Sequence, residues 1–198
     1  MSGRRHHASD VVEAHLAPLT LLAISGSLRA ASSNRTLLEA AAALAPPGVT
    51  VRLSDHLATL PHFNPDLDGA GRPPEAEAWR IAAGGADGLL ISIPEYAHGM
   101  PGAFKNGFDW LVSDPALVHK PIAIWSVSAR GEHAHASLLE VLRTMSTRII
   151  ETAGVTLPIL DPPLRVATLV ETAELRDMLR GALEAFARTI RSGAEVDG

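Results

Sequence analysis

The chain contains no cysteine. Disulfides, zinc–thiolate centres, iron–sulfur clusters and thiol catalysis are excluded with it. Positive charge is in short supply: 17 Lys and Arg stand against 22 Asp and Glu, a formal net charge of −5. A nucleic-acid binder would show a basic balance instead. No apolar run approaches the roughly 20 residues that a membrane span needs. The first eighteen residues, MSGRRHHASDVVEAHLAP, hold no apolar stretch fit for a secretory leader. The expectation is a cytoplasmic protein that engages neither nucleic acid nor membrane. Loose tails are expected over 1–18 and 192–198, flanking a single domain over 19–191. Aromatic residues are scarce, and Tyr96 is the one tyrosine.

What is present is a core: hydrophobic residues make up 46% of the chain and charged ones 20%. Apolar runs alternate with helical patterns. LTLLAIS (19–25) predicts a buried strand, and residues 33–45 predict a helix stopped by Pro46, Pro47 and Gly48. VTVRLS (49–54) alternates as a second strand. Residues 60–77 read as a long loop rich in Pro, Gly and Asp. A helix over Glu75–Ala83 follows, then a strand over 86–93. Pro101 to Val112 predicts a helix with proline in its first turn. KPIAIWSVS (120–128) predicts strand four. The spacing of Leu138, Leu142, Met145 and Ile149 predicts a helix over 136–153, and VTLPIL (155–160) a fifth strand. Leu175, Leu179, Ala182, Leu183, Phe186 and Ile190 form the stripe of a last helix.

Five buried strands alternating with helices imply an α/β fold with a parallel sheet covered on both faces. The expected strand order is 2-1-3-4-5, the flavodoxin-like three-layer sandwich. Ligands of such sheets sit beyond the strands' C-terminal ends, at the switch point between strands one and three. Two loops leave those ends. The first, SGSLRAASSNR (25–35), places four serines, Asn34, Arg29 and Arg35 at a helix N-terminus. Unpaired first-turn amides and the helix dipole suit an anion there. A P-loop would need a lysine, and a dinucleotide fingerprint would need more glycines than Gly26. The pattern suits a terminal phosphate monoester, or equally an ordinary capped helix with surface serines. The second loop, PEYAHGMPGAFKNGFDW (94–110), carries Gly99, Gly102, Pro94 and Pro101, expected to bend the backbone sharply against a flat ligand.

Together, these loops resemble the NADPH-dependent FMN reductase family, which includes flavin, quinone, chromate and azo-dye reductases. Gly26, Ser27, Arg29, Ser32 and Asn34 fit its opening motif, G-S-x-R-x-x-S-x-N. Pro94, Glu95, Tyr96, Pro101, Gly102, Lys105, Asn106, Asp109 and Trp110 fit its second. The resemblance implies that Ser27, Arg29, Ser32 and Asn34 hold the FMN phosphate. It implies that Pro94, Glu95, Tyr96 and Gly99 line the isoalloxazine, and that Ser128 reaches the flavin. Lys105, Asn106 and Asp109 would brace the helix and a subunit contact. Ala97 departs from the family, which often has asparagine there, and the loop after strand four keeps only Gly131.

The implied function is an FMN-dependent NAD(P)H oxidoreductase. NADPH or NADH would be the co-substrate, and a quinone, azo dye, chromate or free flavin the small-molecule acceptor. A homodimer or homotetramer is expected. No side chain is assigned as catalytic, because the flavin carries the chemistry. A flavodoxin-type electron carrier that does not turn over NAD(P)H is the alternative; a non-catalytic phosphate-ligand binder is a further one. No metal site is expected, and His133 and His135 read as exposed loop residues.

Overall fold

The computed structural model describes residues 17–158 and 163–194. The elements run β1 (Leu19–Ser25), α1 (Ser33–Ala43), β2 (Val49–Leu53), α2 (Pro74–Gly84), β3 (Gly88–Ser92) and α3 (Gly102–Asp109). Then come β4 (Pro121–Ser126), α4 (Glu132–Thr144), β5 (Arg148–Ile149), β6 (Val155–Thr156), α5 (Val166–Glu171) and α6 (Ala173–Ala194). The sheet order is β2-β1-β3-β4-β5, with β6 also paired to β4. Every ladder is parallel. This is the expected flavodoxin-like arrangement.

Alternation along the strands sorts the side chains into two cores. Leu19, Leu21 and Ala23 of β1 join Leu37 and Leu38 of α1 and the stripe of α6. Leu22 and Ile24 turn the other way, to Trp79 of α2, Phe104 and Phe108 of α3 and Leu138 of α4. Leu179, Leu183 and Phe186 are at most 1% exposed. Each such side chain is worth about 1.5–3 kcal/mol of burial, so α6 is held by packing. Trp79, Trp110 and Trp125 are all core residues.

The helix expected over 136–153 begins earlier and ends sooner. Ser146 adopts φ 55° and turns the chain. The following segment is captured by the open edge of β4: Arg148 N donates to Lys120 O at 3.0 Å and Ile150 N to Ile122 O at 2.8 Å. Ile149 thus faces a strand neighbour rather than continuing a helical stripe. A 3-10 turn over Glu151–Ala153 separates β5 from β6, so two short strands share the fifth position. Of the expected strand 155–160, Val155 and Thr156 form the strand, Leu157 N adds a bond to Ser126 O at 2.9 Å, and residues 159–160 lie outside the described residues. Ser192 and Gly193, expected in a loose tail, belong to the last turn of α6. Residues 1–16 and 195–198 of the two expected tails lie outside the described residues.

Residues 74–77 of the expected 60–77 loop are already the first turn of α2; residues 60–73 are a loop in which a 3-10 turn, Pro65–Leu67, precedes that helix. Asn106 ties it to α3, accepting from Phe63 N at 2.8 Å and donating to Pro61 O at 3.0 Å. Trp110 Nε1 donates to the same carbonyl. Asp68 accepts from Arg72 and Arg80. The Ser113 hydroxyl and then Arg72 hold its carboxyl below the usual carboxylate range. Asn106 therefore braces this loop, while Lys105 and Asp109 form an i,i+4 ion pair on α3.

Candidate functional site

Three strand exits converge at the switch point: the loop after β1, the turn after β3 and the loop after β4. Gly26 N donates to Ser92 O at 2.9 Å, drawing the ends of β1 and β3 together. A Cβ at Gly26 would stand 2.8 Å from Ile93 Cγ2, so the approach requires glycine. The loop is then wound by its own serines. Ser25 Oγ accepts from Ser27 N at 3.3 Å, and Ser27 Oγ accepts from Arg29 N at 3.4 Å.

The expected phosphate residues divide into three roles. Ser27 and Arg29 line a cavity of about 200 Å³, together with Ser25, Arg35, Ser54 and Asp55. Ser32 is the buried N-cap of α1, its hydroxyl accepting from Arg35 N at 3.3 Å. That bond satisfies one first-turn amide and leaves the others without an intrahelical partner. Asn34 turns inward: Ser92 Oγ donates to its Oδ1 at 2.9 Å in a buried bond. Arg35 is paired to Asp55 at 2.7 Å and to Glu39 at 3.1 Å. No ion pair of Arg29 is found among the described residues, and its side chain is exposed.

A second cavity, of about 280 Å³, lies between the other two exits. Asn34, Pro94, Glu95, Val127, Ser128 and Gly131 are among its walls. Pro94, Glu95 and Ser128 therefore share one space, as the sequence suggested. Tyr96, next to Glu95, does not line this cavity and is 48% exposed. Its hydroxyl lies 3.5 Å from Ser27 Oγ, which is also a wall of the first cavity.

The bend of the 94–99 turn does not come from Gly99 and Gly102. Tyr96 and Gly99 exchange two backbone hydrogen bonds of 3.0 Å. Ala97 (φ 48°) and His98 (φ 58°) between them carry the positive φ angles. Both central residues are left-handed, as in a type I′ turn, and neither is glycine or asparagine. Gly102 opens α3. His133 and His135 lie in the first turn of α4, not in a loop. His133 packs against His98, with ring centroids 4.5 Å apart and the rings tilted by 32°. Among the described residues, no group of three or more His, Cys, Asp or Glu side chains could hold a metal. No helix of the described residues is long and apolar enough to cross a membrane.

Sequence reasoning missed Ser54 and Asp55. β2 lies beside β1 in the sheet, and Ser54 N donates to Ala23 O at 2.8 Å. The exit of the second strand is thus part of the first cavity, which the expected strand order already implied.

A family model described as NADPH-dependent FMN reductase matches residues 19–159. An NAD(P)H-dependent FMN reductase of Pseudomonas aeruginosa is 40% identical over 113 residues, 56% of this chain and 60% of that protein. A probable NADPH:quinone oxidoreductase of Oryza sativa is 32% identical over 181 residues, 85% of this chain and 89% of that protein. The solved structure of FerB, a flavoenzyme NAD(P)H:(acceptor) oxidoreductase from Paracoccus denitrificans, matches with a TM-score of 0.70 and 25% identity, covering 88% of this chain and 98% of that one. The phosphate-type loop after β1, the Pro-Glu-Tyr turn after β3 and a match across most of the chain lead to one conclusion: the protein belongs to the NADPH-dependent FMN reductase family.

Proposed function

We propose that the protein is an FMN-dependent NAD(P)H oxidoreductase that delivers reducing equivalents to a quinone or a related small acceptor. The observation that carries this reading is the pair of cavities at the switch point, one walled by Ser27 and Arg29 and the other by Pro94, Glu95 and Ser128. One is walled by serines and by Arg29, which meets no carboxylate among the described residues; the other is a slot between two loops. That donor set suits a phosphate ester attached to a flat ring. When bound, FMN supplies the two-electron chemistry that links a nicotinamide to an acceptor. Ser27 and Arg29 take the phosphate. Ser32 holds the first turn of α1 in place beneath it, and Asn34 locks that turn to β3 through Ser92. The backbone of the 94–99 turn meets the polar edge of the ring, and Ser128 and Tyr96 flank it. No side-chain acid–base pair is required.

The names of the relatives favour a quinone or flavin acceptor. The fold and these soluble functions suit the cytoplasm. Exposed Leu67, within the braced 60–73 loop, and exposed Val112, after α3, suit a homodimer or homotetramer contact. Titration of the apoprotein with FMN and FAD, followed by an acceptor panel with NADPH and NADH, tests the reading. FMN is expected to bind more tightly, because the loop is shaped for a terminal phosphate, and quinone reduction should follow. Equal affinities would defeat the phosphate assignment. FMN binding without NAD(P)H oxidation would favour an electron carrier.

A further inference from the structure

α4 starts on Gly131, at φ 108° and ψ 35°, a conformation suited to glycine. A glycine N-cap has no side chain with which to satisfy the first-turn amides of its helix. The missing acceptor comes from elsewhere. Glu95 Oε2 accepts from Ala134 N at 3.0 Å, across 39 residues of chain. Its carboxylate therefore caps α4 from the turn after β3, at the helix end where negative charge is favoured. Glu95 lies alongside the cap: a Cβ on Gly131 would be in ordinary contact with Glu95 Cβ, at 3.5 Å, so it is the positive φ, not space, that favours glycine there. A second fastening lies beside the first, the rings of His98 and His133, which pack at a 32° tilt. Both join the 94–99 turn to the first turn of α4.

These two segments also both border the second cavity. We infer that Glu95 is a positioning residue, which fastens the 94–99 turn to α4 and so sets the width of the slot that receives the flavin ring. The inference rests on the proposed FMN reading. Glu95 acts through α4 and holds no part of the phosphate. The turn keeps its own two Tyr96–Gly99 hydrogen bonds when the fastening is cut. It should then move as a unit rather than unfold.

Three proteins test this: wild type, Glu95→Ala and Glu95→Gln. Each is titrated with FMN and with riboflavin by quenching of flavin fluorescence. Amide hydrogen exchange at the start of α4 is followed in the apoproteins. Glu95→Ala is expected to weaken both ligands by the same factor, roughly tenfold, the upper part of the range for a lost helix cap. Glu95→Gln keeps an oxygen acceptor and should stay within about threefold of wild type. Exchange at Ala134 should quicken in Glu95→Ala even without flavin, a result independent of the cofactor reading. Unchanged exchange at Ala134, or wild-type affinity in Glu95→Ala, would overturn the inference. So would a loss confined to FMN, which would place Glu95 at the phosphate, or a Glu95→Gln variant as weak as Glu95→Ala. A wild-type protein that binds neither flavin, while its Ala134 exchange still responds to the variant, refutes the FMN reading and leaves only the fastening.

Discussion

Arg29 and Arg35 both border the smaller cavity, yet they should behave differently when removed. Arg35 is engaged by Asp55 at 2.7 Å and by Glu39 at 3.1 Å. Arg29 is exposed and meets no carboxylate among the described residues, so its charge is available to a ligand. A hydrogen bond to a charged group is worth about 1.5–3 kcal/mol, or roughly a 10- to 150-fold change in Kd. Exposure to solvent puts the Arg29→Ala effect toward the lower end, about 10- to 30-fold for FMN. Riboflavin lacks the phosphate and should bind both proteins alike. Salt should narrow the gap between wild type and variant, since the Debye length falls to ~3 Å at 1 M. Arg35→Ala should instead cost under about 1 kcal/mol of apoprotein stability, with no selective loss of FMN. Fluorescence titration of both flavins, at low and high salt, gives the affinities, and denaturant unfolding of the apoproteins gives the Arg35→Ala stability. An equal loss for riboflavin would place Arg29 away from the phosphate, and no loss for either ligand would make it an ordinary surface residue.

Tyr96→Ala should leave the apoprotein melt nearly unmoved, because the ring is 48% exposed, while quinone reduction falls; a large drop in Tm with full turnover would make Tyr96 structural. Gly26→Ala forces a Cβ to 2.8 Å from Ile93 Cγ2 and should cost about 1–3 kcal/mol in denaturant unfolding, as overpacking does; unchanged stability would refute the close approach. Asp68 has a folded pKa below the carboxylate range, so its contribution is present above the unfolded pKa of about 3.9 and is lost as pH falls through the lower folded value. Asp68→Asn should therefore be less stable than wild type near neutrality by about 1–2 kcal/mol, and the two should converge in strong acid. A gap independent of pH would show that charge is not what Asp68 contributes.

The parts of the fold that the sequence revealed are those decided by local pattern. LTLLAIS coincides with β1 because a fully buried parallel strand is an unbroken apolar run. The α6 stripe was equally legible, since burial on one face leaves a 3.6-residue period. Local pattern failed where a distant partner decided. Ile149 had helical spacing, but the edge of β4 took its backbone. At the site, both principal loops were legible because they leave adjacent strands at the switch point. The source of the bend was not: glycine is the usual donor of positive φ, whereas here Ala97 and His98 carry it inside the Tyr96–Gly99 bridge. The cap from Glu95 to Ala134 crosses from one strand exit to another and leaves no local signature.

Anaerobic mixing of FMN-loaded protein with NADPH, followed by a stoichiometric quinone, tests most directly whether the protein is an FMN-dependent oxidoreductase. The visible flavin absorbance should bleach on addition of NADPH and return when the quinone is added, with hydroquinone formed in equal amount. A bound flavin that stays oxidised with both NADPH and NADH would contradict the proposed function.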